Sequence, residues 1–162
     1  VHDERYRLVM DLIKERGHCV VAFNWKHEVA ALKEWAAKKD YNFTYAVIDG
    51  SVSMEDRAKA VEDFQAGKLK CIFAHPQSAS HGLTLTKGTT TIWCSPTYNA
   101  EHYQQFNRRI YRAGQKRKTE TIRIAYAESK ELDVYEKLDH KLGRMDDLLG
   151  LMYDLSKIRR SA

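Results

Sequence analysis

Between Gln105 and Lys118 the chain carries Arg108, Arg109, Arg112, Lys116, Arg117 and Lys118, with no acidic residue among them. A guanidinium is planar, always protonated and rich in donors, so two held together suit the charge that builds on a phosphoryl group in transfer. Arg109 and Arg112 stand three apart, a spacing that projects both side chains from one face of a helix. An arginine presented in this way raises the rate by about 10³- to 10⁵-fold in other phosphoryl-transfer systems. The same residues also fit a solvated basic helix end, where the dipole mildly favours cations.

Three further polar loops follow apolar runs. His75-Pro76-Gln77-Ser78-Ala79-Ser80-His81-Gly82-Leu83-Thr84-Leu85 combines hydroxyls and imidazoles with a glycine that lets backbone amides approach a phosphate closely. His75 and His81 also fit ordinary loop histidines, and no neighbouring Cys/His set completes the four ligands of a zinc site, so no metal is expected. Asn24 and Lys26, at the end of Val21-Ala22-Phe23, can reach a phosphate, as half or more of protein–DNA hydrogen bonds do. A plain strand-to-helix turn with Trp25 packed is the other reading there. Asp49-Gly50-Ser51 reads as a turn.

What is missing matters equally. A nucleoside triphosphatase of this chemistry needs a GxxxxGK[ST] phosphate cradle and an acidic pair for Mg²⁺ and water, and the sequence has neither. The chain is therefore expected neither to bind ATP tightly nor to hydrolyse it alone.

These residues need a frame. The sequence alternates short apolar runs with helical periodicity, which predicts helices over 3–16, 26–39, 53–66, 100–111, 130–142 and 145–157, with Gly143 separating the last two. Strands are predicted at 19–23, 45–48, 69–74, 90–94 and 120–127. Ser53 is the expected N-cap of the third helix, with Asp56 as its partner and Ala58, Val61 and Phe64 facing inward. This alternation implies an α/β fold, a mostly parallel sheet with helices on both faces. Ligands of such sheets bind outside the carboxyl ends of the strands, at the loops 24–27, 49–53, 75–82 and 95–99.

At 162 residues, 43% hydrophobic and 30% charged, the chain suits one globular domain. The net charge of +5 suits a polyanionic partner. No stretch reaches a membrane span and no signal peptide is visible, so no membrane partner is expected and the compartment reads as cytoplasmic. Cys19, Cys71 and Cys94 are far apart in apolar runs and read as buried free thiols. The start at Val1 reads as a fragment or a processed chain.

The order Gln105, x₃, Arg109, x₂, Arg112, x, Gly114, Gln115 resembles motif six of the Snf-type superfamily-two helicases and DNA translocases, with every fixed position met. His75–Leu85 is similar to motif five in its compact phage and bacterial form, with Ser80 where Gly is usual and Thr84 where Asn is usual. Tyr98-Asn99 resembles the Trp-Asn-Pro element before motif six, with Ser95 in place of an acid. Val21–His27 looks like motif four, and Ile48-Asp49-Gly50-Ser51 with Arg57 and Phe64 like the block after it.

The resemblance covers roughly residues 17–142 and implies a RecA-like C-terminal helicase lobe over 1–143, with 144–162 a C-terminal helix and tail packed on it. It implies that Arg109 and Arg112 are arginine fingers, and that Gly82 and Gln105 join them at the nucleotide. It further implies that Asn24, Lys26, His75, Ser78, Ser80 and His81 meet the phosphate backbone of double-stranded DNA. ATP and Mg²⁺ would be held mainly by an N-terminal RecA-like lobe of the same protein, in a bacterial or phage-infected cell. Two alternatives stay open: an RNA helicase lobe, and a non-catalytic nucleic-acid interaction module that keeps only the fold.

Overall fold

The structure, a computed structural model, describes residues 3–80 and 82–161. Five four-residue strands form one all-parallel sheet: β1 (Cys19–Ala22), β2 (Tyr45–Ile48), β3 (Cys71–Ala74), β4 (Thr90–Trp93) and β5 (Glu120–Arg123), in the order β2-β3-β1-β4-β5. Central β1 pairs Cys19 with Cys71 on one side and with Thr90 on the other. Being flanked on both edges and both faces, β1, β3 and β4 are buried throughout, which is why they read as unbroken apolar runs.

The helices are α1 (Asp3–Arg16), α2 (Lys26–Ala36), α3 (Met54–Gln65), α4 (Ala100–Asn107) and α5 (Lys130–Ser161). Strand alternation divides the core in two. Cys19, Val21, Cys71, Phe73 and Ile92 meet α1 and α2 through Val9, Met10, Ile13, Leu32 and Trp35. Val20, Ala22, Ile72, Ala74 and Trp93 meet α3, α4 and α5 through Phe64, Phe106, Tyr135 and Leu138. Helices thus cover both faces. All three thiols are buried and free, and burial pushes the Cys19 thiol up to about 12.

Several expectations are corrected. The α4 helix stops at Asn107 rather than near 111, so Arg109 and Arg112 lie in turns and do not share a helical face. The cause is tertiary: the Arg109 carbonyl, which a continuing helix would bond to residue 113, accepts the Leu85 N–H at 2.9 Å instead. Gly143 does not divide the C-terminal region, because α5 runs on through it. On α3, Ala60 and Phe64 are buried, Val61 is half-buried and Ala58 is exposed. Strand β5 ends at Arg123, four residues before the expected Ala127. The Ser53 cap holds, its hydroxyl accepting the Asp56 N–H at 3.1 Å. Among the described residues no helix is long and apolar enough to cross a membrane.

Candidate functional site

The connection after β1 runs toward the β2 edge and that after β4 toward the β5 edge, so the carboxyl ends of the central strands open between diverging loops. A cleft of about 810 Å³ lies at this end, lined among others by Asn24, Trp25, Lys26, Arg57, His75 and Ser78. Its first wall is built by Glu28, a carboxylate only 2% exposed on the first turn of α2. One Glu28 oxygen accepts the N–H groups of Asn24 (2.9 Å) and Trp25 (3.1 Å) and the hydroxyl of Ser95 (3.0 Å). A charge that buried needs such partners, and these join the β1 corner to the β4 corner.

The Asn24 amide adds to the joint, donating to the Ser95 hydroxyl at 2.9 Å and to the carbonyls of Ser95 and Pro96 at 3.1 Å. Its NH₂ is therefore engaged within the protein. With the corner held, Trp25 and Lys26 project outward, both exposed. Across the cleft, His75 packs edge-on against Phe23 and its Nδ1 accepts the Gln77 N–H at 3.2 Å. Burial holds this imidazole below its ordinary 6.5, opposed by a backbone hydrogen bond at Asn24 and assisted by the like charge of His102. Arg57 enters from α3, and its Nε is buried without a hydrogen-bond partner. Asp49 is held below the usual carboxylate range by the Ser51 hydroxyl and backbone N–H.

The second cluster forms where the chain crosses from β3 to β4. Arg112 Nη1 donates to the carbonyls of Gly82 (3.2 Å) and Leu83 (3.0 Å). Arg109 turns back on α4, its Nε donating to the Gln105 carbonyl at 2.8 Å, and is only 9% exposed. Its buried Nη1 has no hydrogen-bond partner and faces Gly82, where a Cβ would stand 4.0 Å away. Burial, with the charges of Arg112 and Arg108 added, lowers the Arg109 pKa. None of the ion pairs among the described residues involves Arg108, Arg109 or Arg112. Gln115 then fixes the following turn: its amide donates to the carbonyls of Thr86, Gly88 and Ile110, and its oxygen accepts the N–H groups of Lys116 and Arg117.

The fold therefore gathers Asn24, Lys26, His75 and Ser78 in one cleft, and Gly82, Gln105, Arg109 and Arg112 in a second cluster where the β3–β4 crossover meets the end of α4. The Gln105 side chain itself bonds Glu101 at 3.2 Å, so its share in that cluster is the carbonyl. His81 and the side chain of Ser80 lie outside the described residues. Sequence reasoning missed Glu28 and Trp25 as site-forming residues and assigned Arg57 no role. Glu28, three residues after Trp25, has the spacing of a capping-box acid, a signal present in the sequence. For Trp25 the packed reading is overturned, since the ring is 61% exposed.

Residues 4–114 match the family described as helicase conserved C-terminal domain. Protein CHROMATIN REMODELING 24 of Arabidopsis thaliana is 32% identical over 137 residues, covering 84% of this chain and 12% of that protein. The ISWI chromatin-remodeling complex ATPase ISW1 of Saccharomyces cerevisiae is 28% identical over 143 residues, 85% of this chain and 12% of its own length. Putative protein p41 of Acyrthosiphon pisum secondary endosymbiont phage 1 is 28% identical over 160 residues, 94% of this chain and 32% of that protein. The chain thus spans a third or less of these relatives. The crystal structure of the C-terminal part of the Fun30 ATPase domain superposes with a TM-score of 0.73 at 15% identity, over 84% of this chain and 44% of that one. With the parallel RecA-like sheet, the family match and these Snf-type relatives in agreement, the chain belongs to the helicase conserved C-terminal domain family as a Snf-type superfamily-two C-terminal lobe.

Proposed function

We propose that this lobe completes a DNA-dependent ATPase by presenting Arg109 and Arg112 to the phosphates of ATP held on an N-terminal RecA-like lobe, while its carboxyl-end cleft grips the backbone of double-stranded DNA. The observation that carries the first half is the Arg109 guanidinium, 91% withdrawn from solvent by its 9% exposure, with Nη1 unpartnered beside Gly82 and two arginines near it in sequence. Buried polar groups are almost always satisfied, so an orphan donor in a like-charged cluster supports a role toward an anion that another lobe brings. Gly82 faces Nη1 without a side chain, a Cβ there standing 4.0 Å away, and the Gln105 carbonyl holds the Arg109 Nε. The residues present fit a triphosphate. Bound there, ATP with its Mg²⁺ supplies the phosphoryl group to be transferred. The arginines neutralise charge on it.

In the cleft, Lys26 and Arg57 supply cations and Ser78 a hydroxyl, while Asn24 acts by holding the corner through its bonds to Ser95 and Pro96. Contacts of this kind are made to phosphates, independent of sequence, and weaken by about 0.9 log units per contact for each log unit of salt. We read the lobe as residues 1–143 and 144–162 as a segment appended to it, with α5 running across the boundary.

The test joins this chain to an ATP-binding lobe in trans. Alone, the chain is expected to show no turnover. Combined, it should raise DNA-stimulated ATP hydrolysis, and Arg112→Ala should remove about 10³-fold of that rate or more. Turnover by the isolated chain, or stimulation indifferent to Arg112, defeats the proposal. Stimulation by RNA duplex but not DNA would reassign the partner.

A further inference from the structure

We infer that Trp25 is a stacking platform for an unpaired nucleobase, so that the cleft takes DNA with a single-stranded stretch or gap rather than an intact duplex alone. This rests on the nucleic-acid reading of the cleft and makes it more specific. The three tryptophans have different surroundings. Trp93 is fully buried and packs against Tyr103 and Phe106. Trp35, 8% exposed, already carries the Lys38 ammonium 3.3 Å from its ring centroid. Trp25 is 61% exposed, and among the described residues no ring or cation stacks on it.

An indole in water forgoes its burial energy, so a free one on a cleft wall calls for an occupant. The setting names its chemistry. Trp25 lines the same cleft as Lys26, Arg57 and Ser78, so an aromatic face stands among cations and a hydroxyl. That combination recognises a single strand: cations follow the phosphates and the ring takes a base face. A paired base inside a duplex has both faces covered by its neighbours and cannot offer one.

The platform is also rigid. The Trp25 N–H donates to buried Glu28, and its carbonyl accepts the N–H groups of Glu28 (3.0 Å) and Val29 (3.3 Å). Ordering the backbone on binding therefore adds little cost, leaving only the ring's own rotamers to fix. Trp25 contributes only backbone atoms to these bonds, so substituting its side chain spares the corner.

Trp25 is its own probe, because the other two indoles are shielded. The chain is titrated at low salt with a dT oligonucleotide, an abasic oligomer of equal length, an intact duplex and the same duplex with a short gap. Binding is followed by anisotropy of labelled DNA and by tryptophan emission excited where tyrosine does not absorb. Quenching is expected with oligo-dT and gapped duplex, and not with the abasic oligomer or intact duplex, although both still bind. Trp25→Ala should weaken oligo-dT about 5- to 150-fold, leave the abasic oligomer unchanged and keep the thermal midpoint of the wild type. Trp25→Phe should recover most of the loss.

If the abasic oligomer and oligo-dT bind and quench alike, or Trp25→Ala weakens both equally, the stacking role is wrong while the phosphate grip stands. If intact and gapped duplex quench equally, the base is not unpaired and the inference falls. If no DNA binds at low salt, both this inference and the nucleic-acid reading fall.

Discussion

At the scale of single residues, the most connected side chain in the motif-six region is Gln115, not an arginine. Five backbone groups from two separate segments meet its amide, and at roughly half exposure or less those bonds are only partly open to water. Removing one partner of a buried hydrogen bond costs about 1–3 kcal/mol through the groups left unsatisfied. Gln115→Ala is therefore expected to lose about 2–4 kcal/mol, given several orphaned carbonyls. Thermal unfolding should register this as a drop of roughly 5–15 °C for a chain of this size. An unchanged midpoint would mean that water replaces the amide without loss. Gln115 was legible in the sequence as a motif position, but not as a strut. Its partners Thr86 and Gly88 are remote in sequence, and nothing local announces them. Arg57 was obscured for the same reason, its cleft being assembled from three separate strand ends.

At the scale of elements, two glycines carry opposite expectations. Gly88 sits where the crossover meets α3 and the turn after α4. A Cβ there would stand 3.1 Å from both Phe64 and Ile110 and 3.3 Å from the Leu85 carbonyl. Phe64 and Ile110 are buried and cannot yield freely, so Gly88→Ala should destabilise by about 1–3 kcal/mol. Gly143 lies inside α5 with nothing within 4 Å of its absent Cβ, so Gly143→Ala should stabilise by up to about 1 kcal/mol through helix propensity. Urea unfolding of the two variants side by side checks both signs. The pair also explains what was readable beforehand. The β2 boundaries, Tyr45–Ile48, follow directly from an apolar run ended by Asp-Gly. The end of α4 and the continuity of α5 do not, because the first depends on the remote Leu85 N–H bonding the Arg109 carbonyl and the second on a helix tolerating its glycine. On α3, two alanines two positions apart left the periodicity unable to choose between Ala58 and Ala60.

At the scale of the whole molecule, two histidines tie stability to acidity. His18, at the amino end of the sheet, bonds the Leu69 carbonyl through Nδ1 at 2.9 Å, while His75 stands at the carboxyl end. Burial lowers both below 6.5; Lys87, Lys70 and Arg117 reinforce this at His18. A histidine depressed by folding binds fewer protons in the native state than in the unfolded chain over the window just below 6.5, so stability rises with pH there. The contribution is complete above 6.5 and is lost as pH falls through the folded-state values. The melting temperature should fall on acidification from pH ~7 to ~5.5, and less steeply in His18→Gln. A flat profile in the parent chain would contradict both assignments.

The crossover from β3 to β4 is a single ribbon that begins with His75 in the cleft wall and carries, a few residues on, the Gly82 and Leu83 carbonyls gripped by Arg112. A tug at one end of a short tether is felt at the other. If a polymer seated at the first position shifts that ribbon, the Arg112 guanidinium at the second moves with it, and the affinity gained at either station must be returned in equal measure at its counterpart.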